Sequence, residues 1–224
     1  MTLAQGIAGG DKMDWVIEKA VELGVAAVVP LSTARGVVKL SGERADKRVA
    51  HWRGVVRASC EQCGRNRVPD VAPVAGFNAW LDALPAAPAD GELRLLLSPR
   101  ASSPFASLPD APPAAAVTLL IGPEGGLSPD EEHAARARGF TALSLGPRVL
   151  RTETAGAAVL AALAARWAGG KAYRRAAFNG SMSMTPEPLS TNANAPMPAV
   201  SNEKVVAVAR NGGVAWIASI NGPR

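Results

Sequence analysis

Four runs of nearly uninterrupted apolar residues, Val25–Leu31, Leu93–Leu97, Val117–Ile121 and Thr141–Leu145, alternate with stretches whose apolar residues recur every three or four positions. Side chains of a strand point alternately to its two faces, so a run that is apolar at every position has no face to give to water. Such runs belong in a largely parallel sheet with helices on both faces. Thr2–Gln5 reads as a further short strand. Met13, Val16, Ile17, Ala20 and Val21 mark a helix capped by Asp11 and ended by Gly24. Val49, Trp52, Val56, Cys60 and Cys63 mark the core face of a second, opened by Ser41. Val71–Val74 is a short extended segment and Phe77–Leu84 a helical turn or two. Pro99–Ala116 is a loop, Pro129–Arg138 a helix stopped by Gly139, and Thr152–Trp167 an Ala-rich helix stopped by Gly169 and Gly170. The fold class is α/β, and ligands in such folds gather at the carboxyl ends of the strands.

Composition narrows the function. No stretch approaches the ~20 apolar residues of a membrane span, and Met1–Gly10 lacks the basic and then apolar pattern of a secretory signal. A cytoplasmic location without a membrane partner is expected. Cys60 and Cys63 form one Cys-x-x-Cys, but neither His51 nor His133 has ligand spacing to it. A zinc site wants three or four protein ligands, so no metal is expected and both thiols read as ordinary and reduced. The first 170 residues hold 18 basic and 17 acidic side chains, yet Arg35–Arg67 holds nine basic against three acidic. That excess is a candidate phosphate footprint, with a solvated helix face as the alternative. Past Lys171, Asn179–Asn202 is polar and reads as disordered, and Lys204–Ile220 carries a hairpin signal around Asn211-Gly212. The chain thus divides into a domain over 1–170 and a disordered or weakly structured tail over 171–224.

Three constellations carry the chemistry. Ile121-Gly-Pro-Glu-Gly-Gly-Leu-Ser-Pro-Asp-Glu131 leaves a strand and enters a helix, with Ser128 as N-cap, Pro129 at the first position and Glu131 closing a capping box. Its glycines let the backbone turn sharply and approach a ligand closely. It is neither a Walker loop nor G-x-G-x-x-G, which disfavours an NTPase or an ordinary dinucleotide enzyme. Leu145-Gly-Pro-Arg-Val-Leu-Arg-Thr-Glu-Thr-Ala155 also joins a strand to a helix. It sets Arg151 and Glu153 beside an apolar wall of Val149 and Leu150, and the small residues that follow predict a buried, closely packed helix. Arg57–Pro69 is a basic helix end with a Gly turn, whose Arg and Gln residues suit phosphate and base-edge contacts.

Asp11-Lys-Met-Asp-Trp-Val-Ile-Glu-Lys-Ala-Val-Glu-Leu-Gly-Val25, Glu61-Gln62…Gly64-Arg65…Pro69, Gly122-Pro-Glu-Gly-Gly126 and Leu150-Arg-Thr-Glu-Thr-Ala155 together resemble the RsmE family. The resemblance runs from about Leu3 to Trp167. It implies a SPOUT-type fold with a C-terminal trefoil knot, a homodimer, and S-adenosylmethionine-dependent methylation of uridine N3 in 16S ribosomal RNA of the small subunit. It implies that Leu97, Ile121, Gly122, Pro123, Glu124, Gly125, Gly126, Leu145, Gly146, Val149, Leu150, Arg151, Thr154 and Ala155 enclose the cofactor. Within that frame Arg151 is the candidate for stabilising charge on the base, and Glu124 and Glu153 for orienting the cofactor or relaying the proton. Arg35, Gln62, Arg65 and Arg67 are the candidate RNA contacts. The family ordinarily begins with a PUA-like β-barrel, and Met1 stands almost at the first strand here, so a chain without that module is expected. The competing readings are a non-catalytic RNA- or cofactor-binding module that has lost its recognition domain, and an ordinary structural α/β domain.

Overall fold

The computed structural model describes residues 1–167 and the backbone of 205–211 and 214–220. The chain forms two compact units, Met1–Ser181 and Met182–Arg224. In the first, β1 (Thr2–Gly6), β2 (Ala27–Ser32), β3 (Asp70–Val71), β4 (Ala75–Gly76), β5 (Leu93–Leu97), β6 (Val117–Ile121) and β7 (Thr141–Leu143) build one sheet. Interleaved with them are α1 (Lys12–Glu22), α2 (Gly42–Cys63), α3 (Phe77–Ala83), α4 (Pro129–Ala137) and α5 (Thr152–Trp167). The sheet order is β3-β2-β1-β6-β5-β7, with β4 also on β2, and every pair is parallel. In the second unit β8 (Val205–Asn211) and β9 (Val214–Ile220) pair antiparallel, as the hairpin signal predicts. The expectation of disorder over Asn179–Asn202 lies outside the described residues.

The uninterrupted apolar runs arise because each strand feeds two cores. Leu3, Leu95 and Leu119 face one core, shared with Ile17 of α1, Trp52 of α2 and Leu163 of α5. Their neighbours Ala4, Leu96 and Leu120 face the other, with Phe77 of α3 and Ala135 of α4. Several local expectations need correction. Cys63 is exposed rather than on the core face of α2, because that helix ends there and Gly64 turns away in a left-handed conformation. Of the segment 71–74 only Val71 is in a strand, the two-residue β3, and the two-residue β4 follows the segment at Ala75–Gly76. β7 stops at Leu143, because Ser144 leaves the sheet to bridge Pro104. Asp11 and Ser41 stand at helix starts without capping through their side chains. Asp14 instead joins α1 to α2, accepting from Trp52 Nε1 at 3.0 Å and contacting His51 Nε2 at 2.6 Å.

A buried arginine closes the β7 side of the sheet. Arg94 is 1 % exposed, and its guanidinium donates to the carbonyls of Pro85 and Arg138, both at 2.8 Å, and to Glu92 at 2.7 Å. The guanidinium holds the Glu92 carboxyl below the ordinary glutamate value; burial pushes the other way and the Ala89 N–H adds to the lowering. Removing one partner of a buried ion pair leaves the other uncompensated. Arg94→Met should therefore cost about 3–5 kcal/mol in urea unfolding. Because the folded-state pKa of Glu92 is depressed, its contribution is present above the unfolded glutamate value and is lost as pH falls through the folded one. The melting temperature should fall on acidification below about pH 4.3, and Glu92→Gln should show a shallower acid decline.

Candidate functional site

β1 is the strand at which the sheet changes direction: the chain moves to β2 on one side, and β6 pairs on the other. Open parallel sheets form a crevice at the carboxyl ends of such neighbouring strands. Here those ends are Gln5-Gly6 and Ile121-Gly122, with Gln5 in register with Ile121. Gln5 is fully buried, and its Nε2 donates to the carbonyls of Gly6 at 2.9 Å and Gly122 at 3.3 Å and to Thr152 Oγ1 at 2.9 Å. Thr152 Oγ1 in turn donates to the Gly122 carbonyl at 2.6 Å. One side chain from β1 thus fastens the glycine loop after β6 to the first turn of α5.

The glycine loop is held on two further sides. Glu124 Oε1 accepts from the Gly9 N–H at 2.9 Å and pairs with Lys12 Nζ at 3.0 Å, which ties it to the β1–α1 turn. Burial raises the Glu124 pKa, but the bonds from the N–H groups of Gly9 and Glu124 itself and from Lys12 outweigh it, and the net shift is downward. The capping box forms as expected: Ser128 Oγ accepts from the Glu131 N–H and Glu131 Oε2 from the Ser128 N–H. Glu131 Oε1 also accepts from the Ala34 N–H at 2.8 Å, and Arg35 reaches the carbonyls of Gly125 at 3.5 Å and Leu127 at 3.4 Å. Gly122 cannot be replaced freely, since a Cβ there would stand 2.7 Å from the Leu127 nitrogen.

Between the two loops lies a cavity of about 500 Å³, within the range of small-molecule sites. Of the residues expected to enclose a cofactor, all line it except Thr154. Thr154 is exposed and Thr152 lines the cavity instead, because residues two apart on a helix point in different directions. Leu97, Ile121, Leu145, Val149 and Leu150 give the cavity its apolar lining, beside the backbone of the glycine loop. Arg151 stands at the mouth with its side chain 82 % exposed, 4.0 Å from Glu153 Oε1. The other carboxylate oxygen of Glu153 is buried without a hydrogen-bond partner. Such an arrangement suits a ligand with a flat apolar part and polar substituents.

The candidate RNA contacts do not gather in one place. Arg35 lies against the glycine loop. Arg65 donates to the carbonyls of Val21 at 2.7 Å and Val25 at 2.9 Å, closing the end of α1. Those carbonyls precede β2, so Arg65 and its neighbours Gln62 and Arg67 sit at the amino ends of the strands. The separation from the cavity is roughly 16 Å, five residues at about 3.3 Å each. Sequence reasoning missed Gln5, Thr152, Lys12 and Ser98, all of which line or brace the cavity. The signal for Gln5 was present: an amide within an apolar strand, directly before a glycine.

Residues 1–164 match the model of the RNA methyltransferase domain. The chain belongs to the RNA methyltransferase domain family. Within that family it is 34 % identical over 167 residues to ribosomal RNA small subunit methyltransferase E of Bacillus subtilis, covering 72 % of this chain and 64 % of that protein. Ribosomal RNA small subunit methyltransferase E from Neisseria gonorrhoeae, solved bound to S-adenosyl methionine, superposes with a TM-score of 0.67 at 40 % identity, over 74 % of this chain and 65 % of that one. A putative methyltransferase from Legionella pneumophila, solved with bound SAM, gives 0.66 at 41 % identity, over 73 % of this chain and 65 % of that one. The Aquifex aeolicus TrmH/SpoU tRNA modifying enzyme shares the fold at 13 % identity and a TM-score of 0.51. The chain spans about two thirds of the length of these RNA methyltransferase E relatives, 64 % of the B. subtilis protein.

Thr152→Val keeps the shape of the side chain and removes its hydroxyl, leaving the Gly122 carbonyl and Gln5 amide short of partners. It should cost about 1–3 kcal/mol in denaturant unfolding, with an unchanged far-UV spectrum.

Proposed function

We propose that this chain transfers the methyl group of S-adenosylmethionine to N3 of a uridine in 16S ribosomal RNA of the small subunit. The observation that carries the reading is the bond set of Gln5, Gly122 and Thr152, which makes two strand-to-helix loops walls of one cavity. The cavity fits the cofactor by size and by its pairing of an apolar wall with exposed loop backbone. When bound, S-adenosylmethionine supplies an electrophilic methyl carbon on sulfur. Leu97, Ile121, Leu145 and Leu150 would hold its adenosine part away from water, and the Gly122–Gly126 backbone would lie along it.

The acceptor nitrogen of uridine carries a proton, which must leave as the N–C bond forms and the C–S bond breaks. Glu153 lines the cavity with one carboxylate oxygen 4.0 Å from Arg151 and is the proposed proton acceptor. Arg151, exposed at the mouth, would swing over the base and stabilise negative charge developing on it. Glu124, held below its ordinary pKa by Lys12 and the Gly9 N–H, is a brace for the loop rather than a proton carrier. Arg35 is the proposed RNA contact nearest the cavity.

The catalytic domain is proposed to span 1–170 and to carry the trefoil knot. Ser144 binds Ser103 and Phe105 on one side of the 98–116 segment, and Arg166 of α5 donates to the carbonyls of Leu108 and Pro109 on the other. A homodimer is proposed through the face of α5 that exposes Thr154, Ala161 and Ala165, small residues that let another backbone come close. Within the single chain the burial expected of α5 holds for one face, with Gly156, Val159, Leu160 and Leu163 buried, and not for the face of Thr154, Ala161 and Ala165. Among the described residues no helix is long and apolar enough to cross a membrane, and the proposed place of action is the cytoplasm.

Calorimetry with S-adenosylmethionine should give one saturable site, and Gly122→Ala should abolish it while the fold persists. Methyl transfer to small ribosomal subunits lacking the modification should fall about 10²–10³-fold in Arg151→Ala, with cofactor affinity retained. Binding without transfer would instead mark a binding module.

A further inference from the structure

A second, shallower recess opens beside the cofactor cavity. It is lined by Gly9, Gly10, Asp11, Lys12, Trp15 and Glu153, and Lys12 and Glu153 line both. From this geometry we infer that the recess receives the base that accepts the methyl group, with the Trp15 indole as its stacking platform. The inference rests on the methyltransferase reading and deepens it by naming the substrate subsite.

Position comes first. A methyl acceptor must lie against the cofactor, and the boundary formed by Lys12 and Glu153 is where ligands in the two spaces meet. Trp15 is 40 % exposed although Met13, Val16, Ile17, Ala20 and Val21 of the same helix are all buried. An indole face left in water gains by covering a flat ring, whichever base presents it. The Gly9-Gly10 turn adds no side chain to the recess, and nothing lies within 4 Å of where a Cβ of Gly10 would stand, so the recess is open on that side.

The charges choose a base over a phosphate. Lys12 is the recess's cation, and Glu124 pairs with it at 3.0 Å. Asp11 and Glu153 contribute negative charge, and Glu153 Oε2 is a buried acceptor without a donor. An anion would be repelled there, whereas a neutral ring bearing an N–H, such as the imide of uracil, can donate to a carboxylate of the recess.

The test is fluorescence anisotropy of a labelled single-stranded oligouridylate with the full chain in the presence of S-adenosylhomocysteine, beside calorimetry with S-adenosylmethionine and sedimentation. Trp15→Ala should weaken the oligonucleotide about tenfold, Trp15→Phe should restore most of it, and cofactor affinity should stay within about twofold. Unchanged oligonucleotide affinity in Trp15→Ala would overturn the inference, as would failure of Phe to restore it. So would loss of cofactor and oligonucleotide binding together, or a changed oligomeric state, which would make Trp15 a subunit contact. A wild-type chain that binds oligouridylate through Trp15 but not S-adenosylmethionine would overturn the methyltransferase reading itself, separately.

Discussion

The site depends on one buried amide. Gln5 stands on a central strand with no access to water, so its polar atoms must find partners inside the protein or cost stability. Its Nε2 finds them in the Gly122 carbonyl and the Thr152 hydroxyl, which belong to segments 30 residues apart in the chain. Neither loop has a repeating hydrogen-bond pattern of its own to fix its position. The amide nitrogen does this for both, although Gln5 Oε1 is buried without a hydrogen-bond partner, and the cavity exists because the two loops cannot drift apart without stranding buried polar groups.

Around that bond the glycine loop is braced by side chains that look, in isolation, like chemistry. Glu124 and Glu131 each accept backbone N–H groups from elements distant in sequence. Arg65 and Arg94 are spent on carbonyls at strand and helix ends. Charged residues in a basic, glycine-rich chain are readily read as ligand contacts, yet four of them here hold the scaffold. Exposed arginines on the cavity lining, Arg100, Arg148 and Arg151, are the charges turned toward a substrate.

The placement of this machinery follows from topology. Parallel strands put all their carboxyl ends on one side, and the reversal at β1 leaves a crevice between β1 and β6. The loops after β5, β6 and β7 therefore converge on the same space. The basic helix end around Gln62–Arg67 falls at the opposite side of the sheet because α2 runs antiparallel to the strands. A sequence can place two motifs on loops, but it cannot say which end of a sheet each loop occupies until strand order and direction are known.

Read alone, the sequence determined the layered α/β class, since unbroken apolar runs can be buried only between two helical layers. It determined the bounds of β5 and β6, the capping box at Ser128, and the two loops that line the cavity, because strand periodicity and cap chemistry are local and act within a few residues. Tertiary structure decided the rest: that Thr152 rather than Thr154 faces the cavity, that Cys63 is exposed, that Arg65 closes a helix, and that Gln5 joins the loops. Each of these turns on a partner more than 40 residues away or on the direction a side chain takes once packed, and no local pattern encodes either.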